Sequence, residues 1–212
     1  SSVNPQSSGI IKAMGSDNSS ACPQTGLDKW VEDCLFASVF TTYLPTPQSS
    51  KSKKLRPVML WLHGGGYTRG SGLDPNFLGG QLASRSDVVV VTPNYRLGYL
   101  GFASFNDTIS GNWAIGDIVT ALQWVKENIE AFGGDPGNVS VFGQSAGANL
   151  LIALLASPKA KGLFHAAIVQ SGQPIDDYTA RSTVSETAPT TIQNAARAGC
   201  TTSDTSNLDS LI

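Results

Sequence analysis

The stretch Asn138-Val139-Ser140-Val141-Phe142-Gly143-Gln144-Ser145-Ala146-Gly147-Ala148 decides the fold. Its first five residues are short, β-rich and apolar at alternate positions, the pattern of a strand. Residues 148–156, Ala-Asn-Leu-Leu-Ile-Ala-Leu-Leu-Ala, read as a buried helix. Between them stands G-x-S-x-G, and a serine in that setting sits on a strained strand-to-helix turn, the nucleophile elbow. The glycines have a steric reason, because a side chain at Gly143 or Gly147 would collide with neighbouring backbone. The turn lifts the hydroxyl above the strand ends and aims the free N–H groups of a helix N-terminus at the reacting centre. A plain tight turn is the competing reading, and it leaves two glycines framing an exposed serine without a cause.

The elbow is one unit of a repeated pattern. Residues 57–62 form a continuous apolar run, as in a strand buried on both faces, and lead into His63-Gly64-Gly65-Gly66-Tyr67. A helix is expected in the second half of residues 73–85, and the next buried strand over 87–91, leading to Asn94-Tyr95-Arg96. Residues 97–111 read as a glycine-rich loop. The strongest helix is 115–132, where Ile115, Ile118, Val119, Leu122, Val125, Ile129 and Phe132 recur at helical spacing. Gly133-Gly134 ends it. Residues 164–170 read as a further buried strand, and the polar stretch from 179 as one or two surface helices around Cys200. Upstream, residues 1–29 read as surface loop, 35–43 as a strand, and 48–56, with Lys51, Lys53 and Lys54, as a solvated hairpin rather than a phosphate or lipid-headgroup site. Alternating strands and helices with apolar inner strands predict a mostly parallel, doubly covered α/β sheet. Its site should lie at the carboxyl ends of the strands.

The 212 residues carry a net charge of −2 and are 41% hydrophobic. That is enough chain for one domain or part of a larger one. Nothing in the charge balance suggests nucleic acid or an anionic membrane, and no apolar run approaches the ~20 residues of a membrane span. The first residue is a serine and no leader pattern follows, as in a mature or trimmed chain. The three cysteines are Cys22, Cys34 and Cys200. A disulfide between Cys22 and Cys34 would close a short loop; two unrelated buried thiols are the other reading. Sequons at Asn18, Asn106 and Asn138 are candidate glycosylation sites, the last least so because it opens a core strand. Disulfide and sequons together suggest a secreted chain.

His63-Gly64-Gly65-Gly66 matches the glycine-rich oxyanion loop that accompanies a nucleophile elbow. The N–H groups of Gly65, Gly66 and Ala146 can converge on the oxygen of a tetrahedral intermediate. A serine also needs a base and an acid to orient it. Of the two histidines, His63 belongs to the loop. His165 opens its strand, so it should lie at the amino end of the sheet, roughly 20 Å from the strand exits, and reads as structural. Asp176 or Asp177 follows a strand exit and could supply an acid, but no histidine comes after His165. This chemistry calls for no cofactor and no metal.

Glu32-Asp33-Cys34-Leu35-Phe36, the glycine loop with Tyr67, Asn94-Tyr95-Arg96-Leu97-Gly98, Phe132-Gly133-Gly134-Asp135-Pro136 and the elbow stand in the order and spacing of the type-B carboxylesterase family. The chain resembles that family, which includes cholinesterases and secreted fungal lipases, from about Cys22 to Cys200, and stands nearest its secreted fungal members. The resemblance implies an α/β-hydrolase fold, incomplete here and forming one partial domain over residues 1–212. It implies a carboxylic ester hydrolase with Ser145 as nucleophile, Gly65, Gly66 and Ala146 as oxyanion hole, a Cys22–Cys34 disulfide, and Arg96 with Asp117 as a structural ion pair. Family members are much longer and carry the acid and histidine further on; their amino-terminal part is absent here. The resemblance therefore also implies a second polypeptide supplying acid and histidine, with Cys200 bonded to a cysteine outside this chain. Two departures bear on substrate. Gln144 replaces the usual glutamate before the serine, against a choline site, and the Cys22–Cys34 loop is too short for a large lid, which favours soluble esters over lipid interfaces. A non-catalytic adhesion protein of the same fold, or an inactive fragment, is the alternative.

Overall fold

The computed structural model describes residues 21–27, 29–45, 54–173, 183–197 and 199. Asn18, Cys200, Asp176, Asp177, Lys51 and Lys53 lie outside them. The described elements are β1 (Ala37–Phe40), β2 (Arg56–Leu62), α1 (Gly80–Ser86), β3 (Val89–Pro93), α2 (Gly98–Phe102), α3 (Trp113–Asn128), β4 (Gly134–Gln144), α4 (Ala146–Ala156), β5 (Ala166–Gln170) and α5 (Val184–Arg197). The strands form one sheet in the order β1-β3-β2-β4-β5. β1 runs antiparallel to β3 at one edge, and β3, β2, β4 and β5 run parallel. The register pairs Leu60 with Val141 and Val141 with Ala167. The exits of β2, β4 and β5 therefore lie side by side.

Both faces of the inner strands are used. Val58, Leu60 and Leu62 of β2, Val89 and Val91 of β3, and Val139 and Val141 of β4 share one core with Ile118, Leu122 and Val125 of α3 and Leu151 and Leu154 of α4. Val90 of β3 faces the other way and packs with Ala83 of α1, Phe40 and Met59. The strict alternation along each strand follows from the two-residue period of the pleat. α1 thus covers one face and α3 with α4 the other, which makes the sheet doubly wound.

Three expectations are corrected. The helix expected over 115–132 is α3 followed by a tighter 3-10 turn over Ile129–Phe132, and Gly133, at φ 79°, ends it in the left-handed region. The expected loop over 97–111 contains α2, a single turn whose Phe102 meets Tyr67 edge-on, with ring centroids 5.4 Å apart. A five-residue turn carries too few residues to show a helical period, and packing rather than pattern holds it. Lastly, β5 was expected to be buried, yet Ile168 is 46% and Val169 39% exposed. β5 is the last strand of the sheet, and among the described residues no strand pairs with its outer edge.

Candidate active site

The site grows out of the junction of β4 and α4. Ser145 sits between them at φ 55° and ψ −122°. A non-glycine residue there carries backbone strain of about 1–3 kcal/mol, which surrounding structure must hold in place. The two framing glycines let it do so. A methyl group on Gly147 would stand 2.2 Å from the carbonyl oxygen of Leu62, and one on Gly143 would stand 2.8 Å from the backbone of Gly147. α4 can therefore start hard against the end of β2 only with hydrogen at both positions. The Ser145 N–H donates to Gln170 O at 2.9 Å, which extends the β4–β5 pairing up to the turn. No side chain caps α4, so the N–H groups at its start stay open.

β2 delivers the glycine loop to the same place. An ideal methyl on Gly64 would lie 2.6 Å from Gln144 Oε1, 2.9 Å from Gln144 O and 3.3 Å from Ser145 Cβ, so the loop backbone packs against the Gln144–Ser145 turn. Gly65 has φ 122° and would clash with Arg69 O if it bore a side chain. Its carbonyl accepts from the N–H groups of Thr68 and Arg69, both at 3.2 Å, closing a turn. Among the described residues, the N–H groups of Gly65 and Gly66 donate to no backbone acceptor. An open depression of about 500 Å³ is lined by Ser145, by Gly65, Gly66, Thr68 and Arg69 of the loop, and by Thr25 and Gly26 of the disulfide loop. Ala146 follows directly as the first, buried residue of α4. A second hollow, of about 450 Å³, lies at the opposite end of the sheet between the end of α4 and residues 164–167, away from these groups.

Neither histidine reaches the serine. The His63 ring is 1% exposed and stacks on Tyr95 with centroids 4.2 Å apart. Its Nδ1–H donates to Gly64 O at 2.8 Å, and Tyr95 Oη–H donates to His63 O at 2.6 Å. Burial drives the His63 pKa down to about 4 against the opposing pull of the Gly64 carbonyl, so the ring is neutral at pH 7. Burial likewise pushes the Tyr95 hydroxyl well above its ordinary value. His165 Nδ1 accepts from Val139 N, midway along β4, at 3.1 Å; it directly precedes β5, at the end of that strand away from Gln170 and Ser145. Among the described residues Ser145 has no side-chain base.

The remaining sequence-derived residues fall outside the depression. Cys22 and Cys34 are joined by a disulfide. Arg96 and Asp117 form a two-pronged pair, Nε to Oδ2 at 2.9 Å and Nη2 to Oδ1 at 2.7 Å, while Arg96 N also donates to Asp117 Oδ2 at 3.0 Å. These hydrogen bonds raise the Arg96 pKa although desolvation opposes them. Asp117 is the buried partner, with its side chain 5% exposed. Asn106 and Asn138 are exposed. Among the described residues no group of three or more His, Cys, Asp or Glu could hold a metal ion, and no helix is long and apolar enough to cross a membrane.

Three residues that tie the site together have no role assigned from the sequence, although Asn94 stands in a quoted motif. Asn149 Nδ2 donates to Tyr67 Oη at 3.1 Å and its Oδ1 accepts from Gln173 N at 2.9 Å, joining α4 to the glycine loop and to the exit of β5. Its signal was visible, since it is the one polar residue in 148–156. Gln24, within the disulfide loop, and Asn94, just after β3, make comparable links between that loop and residues 70–72.

The profile of the carboxylesterase family matches residues 5–211. The chain belongs to the carboxylesterase family. This carboxylesterase-family chain is 49% identical over 165 residues to para-nitrobenzyl esterase of Bacillus subtilis (strain 168), covering 72% of the chain and 32% of that protein. It is 41% identical over 194 residues to liver carboxylesterase of Sus scrofa, covering 91% and 32%. Among solved structures, a thermophilic PNB esterase superposes with a TM-score of 0.72 at 40% identity, covering 90% of this chain and 39% of that one. These likenesses make the sheet a partial α/β-hydrolase fold. The chain spans about a third of the length of the relatives it matches.

Proposed function

We propose that this chain carries the nucleophile and the oxyanion hole of a serine carboxylic ester hydrolase. The observation that carries this reading is Ser145, held at a strained backbone angle in one depression with Gly65 and Gly66. In the proposed reaction the Ser145 oxygen attacks the ester carbonyl while its proton passes to a base. The negative charge forming on the carbonyl oxygen is met by the N–H groups of Gly65, Gly66 and Ala146. The tetrahedral intermediate expels the alcohol, which takes the proton, and leaves an acyl-enzyme. Water then attacks the acyl carbonyl and gives a proton to the base; the bond to Ser145 breaks, the serine oxygen takes that proton back, and the acid leaves.

The base and its orienting acid come from outside the 212 residues. Three observations support this. Neither histidine meets Ser145. β5 is uncovered at its edge. The relatives are about three times as long. Cys200 would bond to a cysteine that also lies outside the 212 residues. The short Cys22–Cys34 loop favours soluble esters, and an extracellular setting suits the disulfide, with Asn106 accessible for glycosylation.

The test is Ser145→Ala in the complete protein. Turnover of a short-chain nitrophenyl ester should fall at least about 10⁴-fold with the thermal midpoint unchanged. Turnover within about tenfold of wild type would sink the assignment and favour the adhesion-protein alternative.

A further inference from the structure

The glycine loop leaves the depression at Gly70, and what holds Gly70 is a side chain from the disulfide loop. Gln24 Nε2 donates to Gly70 O at 2.9 Å, and Gly70 N donates to Gln24 Oε1 at 2.8 Å. One primary amide therefore satisfies both backbone groups of a residue 46 positions away. The same Nε2 donates to Cys22 O at 3.1 Å, which fixes the amide to the disulfide it stands beside. Asn94 repeats the arrangement at the other cysteine. Its Nδ2 donates to Cys34 O at 2.9 Å, and its Oδ1 accepts from Gly72 N at 2.9 Å and from Ser71 Oγ at 3.0 Å. Residues 70–72 are thus tied to both ends of the Cys22–Cys34 loop.

Gly70 is packed so closely that it cannot move alone. A methyl group there would stand 2.4 Å from His63 Nδ1 and 2.6 Å from Gly64 O. Gly64 in turn packs against Gln144 and Ser145, and the Gly65 carbonyl is bound to the N–H groups of Thr68 and Arg69. A displacement of Gly70 is therefore passed to Gly64 and Gly65, whose N–H vectors matter to a fraction of an ångström. Gln24 does not line the depression itself.

We infer that Gln24 is a positioning residue. It sets the register of residues 64–70 against Ser145, using the disulfide-closed loop as a rigid frame. The inference rests on the ester-hydrolase reading for its catalytic consequence, but its structural content stands apart from that reading.

The test uses Gln24→Met in the complete protein. The substitution keeps the side chain's length and removes both polar ends. Gln24→Glu is the companion variant, since it keeps an acceptor for Gly70 N–H but sets a carboxylate against Gly70 O. In both, kcat on a nitrophenyl acetate should fall about 10–100-fold, less than for loss of a whole oxyanion donor, with KM within about threefold. The affinity of a trifluoromethyl ketone, which adds to the serine as a tetrahedral adduct, should fall by the same factor. Amide exchange should quicken at residues 64–70 and stay unchanged in β2 and β4. A kcat within about twofold of wild type overturns the inference, as does exchange that rises uniformly along the chain. If the wild type turns over no ester, the hydrolase reading has failed, and exchange alone decides: unchanged protection at residues 64–70 contradicts a positioning role for Gln24.

Discussion

His63 enters the fold as a buried neutral ring with Nε2 unpartnered among the described residues. That has a consequence for stability. Its folded pKa of about 4 lies below the ordinary value of 6.5. Between those values the unfolded chain holds a proton that the folded chain does not. The stability tied to neutral His63 is therefore full above about pH 6.5 and drains as pH falls towards 4, by about 3 kcal/mol in all. His63→Phe keeps a ring against Tyr95 and removes the titration. Urea unfolding at pH 8 and pH 4.5 should show a smaller acid loss in the variant than in the wild type. Parallel losses would show that His63 does not titrate on unfolding. The residues of the depression were legible in the sequence for a definite reason. Ser145, Gly65 and Gly66 work through backbone geometry that only particular residue types allow, so the types themselves signal it. Gln24, Asn94 and Asn149 bond mostly to backbone atoms far along the chain. In Gln24 and Asn94, which lie in loops, the side chain carries no mark of such a partner, whereas Asn149 stands out as the one polar residue of an otherwise apolar helix.

The elements were legible where burial imposes a period and illegible where packing alone decides. α3 buries Ala114, Ile118, Leu122 and Val125 on one stripe, and that stripe shows in the sequence. α2 has no stripe to show. β5 is the instructive miss. Its apolar run, Ala166-Ala167-Ile168-Val169, announces a strand to be covered on both faces, and the described residues do not cover it. An apolar strand with an open edge recruits other chains. The 212-residue chain on its own should therefore self-associate, and Ile168→Lys should shift it towards monomer in sedimentation velocity. A wild-type chain that stays monomeric at tens of micromolar would mean that β5 is shielded after all.

For the whole molecule, the sheet gathers the exits of β2, β4 and β5 at one end, and the elbow, the glycine loop and Gln170 meet there. The Arg96–Asp117 pair ties α3 to the loop that follows β3, and neither residue lines the depression. Among the described residues no side-chain base meets Ser145, and the chain spans about a third of the length of its relatives. The central claim is that Ser145 is the nucleophile. The most direct measurement is the mass of the complete protein, and of its peptides, after reaction with a fluorophosphonate. The account predicts one adduct per molecule, on the peptide containing Ser145, and none in Ser145→Ala. An adduct mapped to any other residue, or an undiminished adduct in Ser145→Ala, would contradict it.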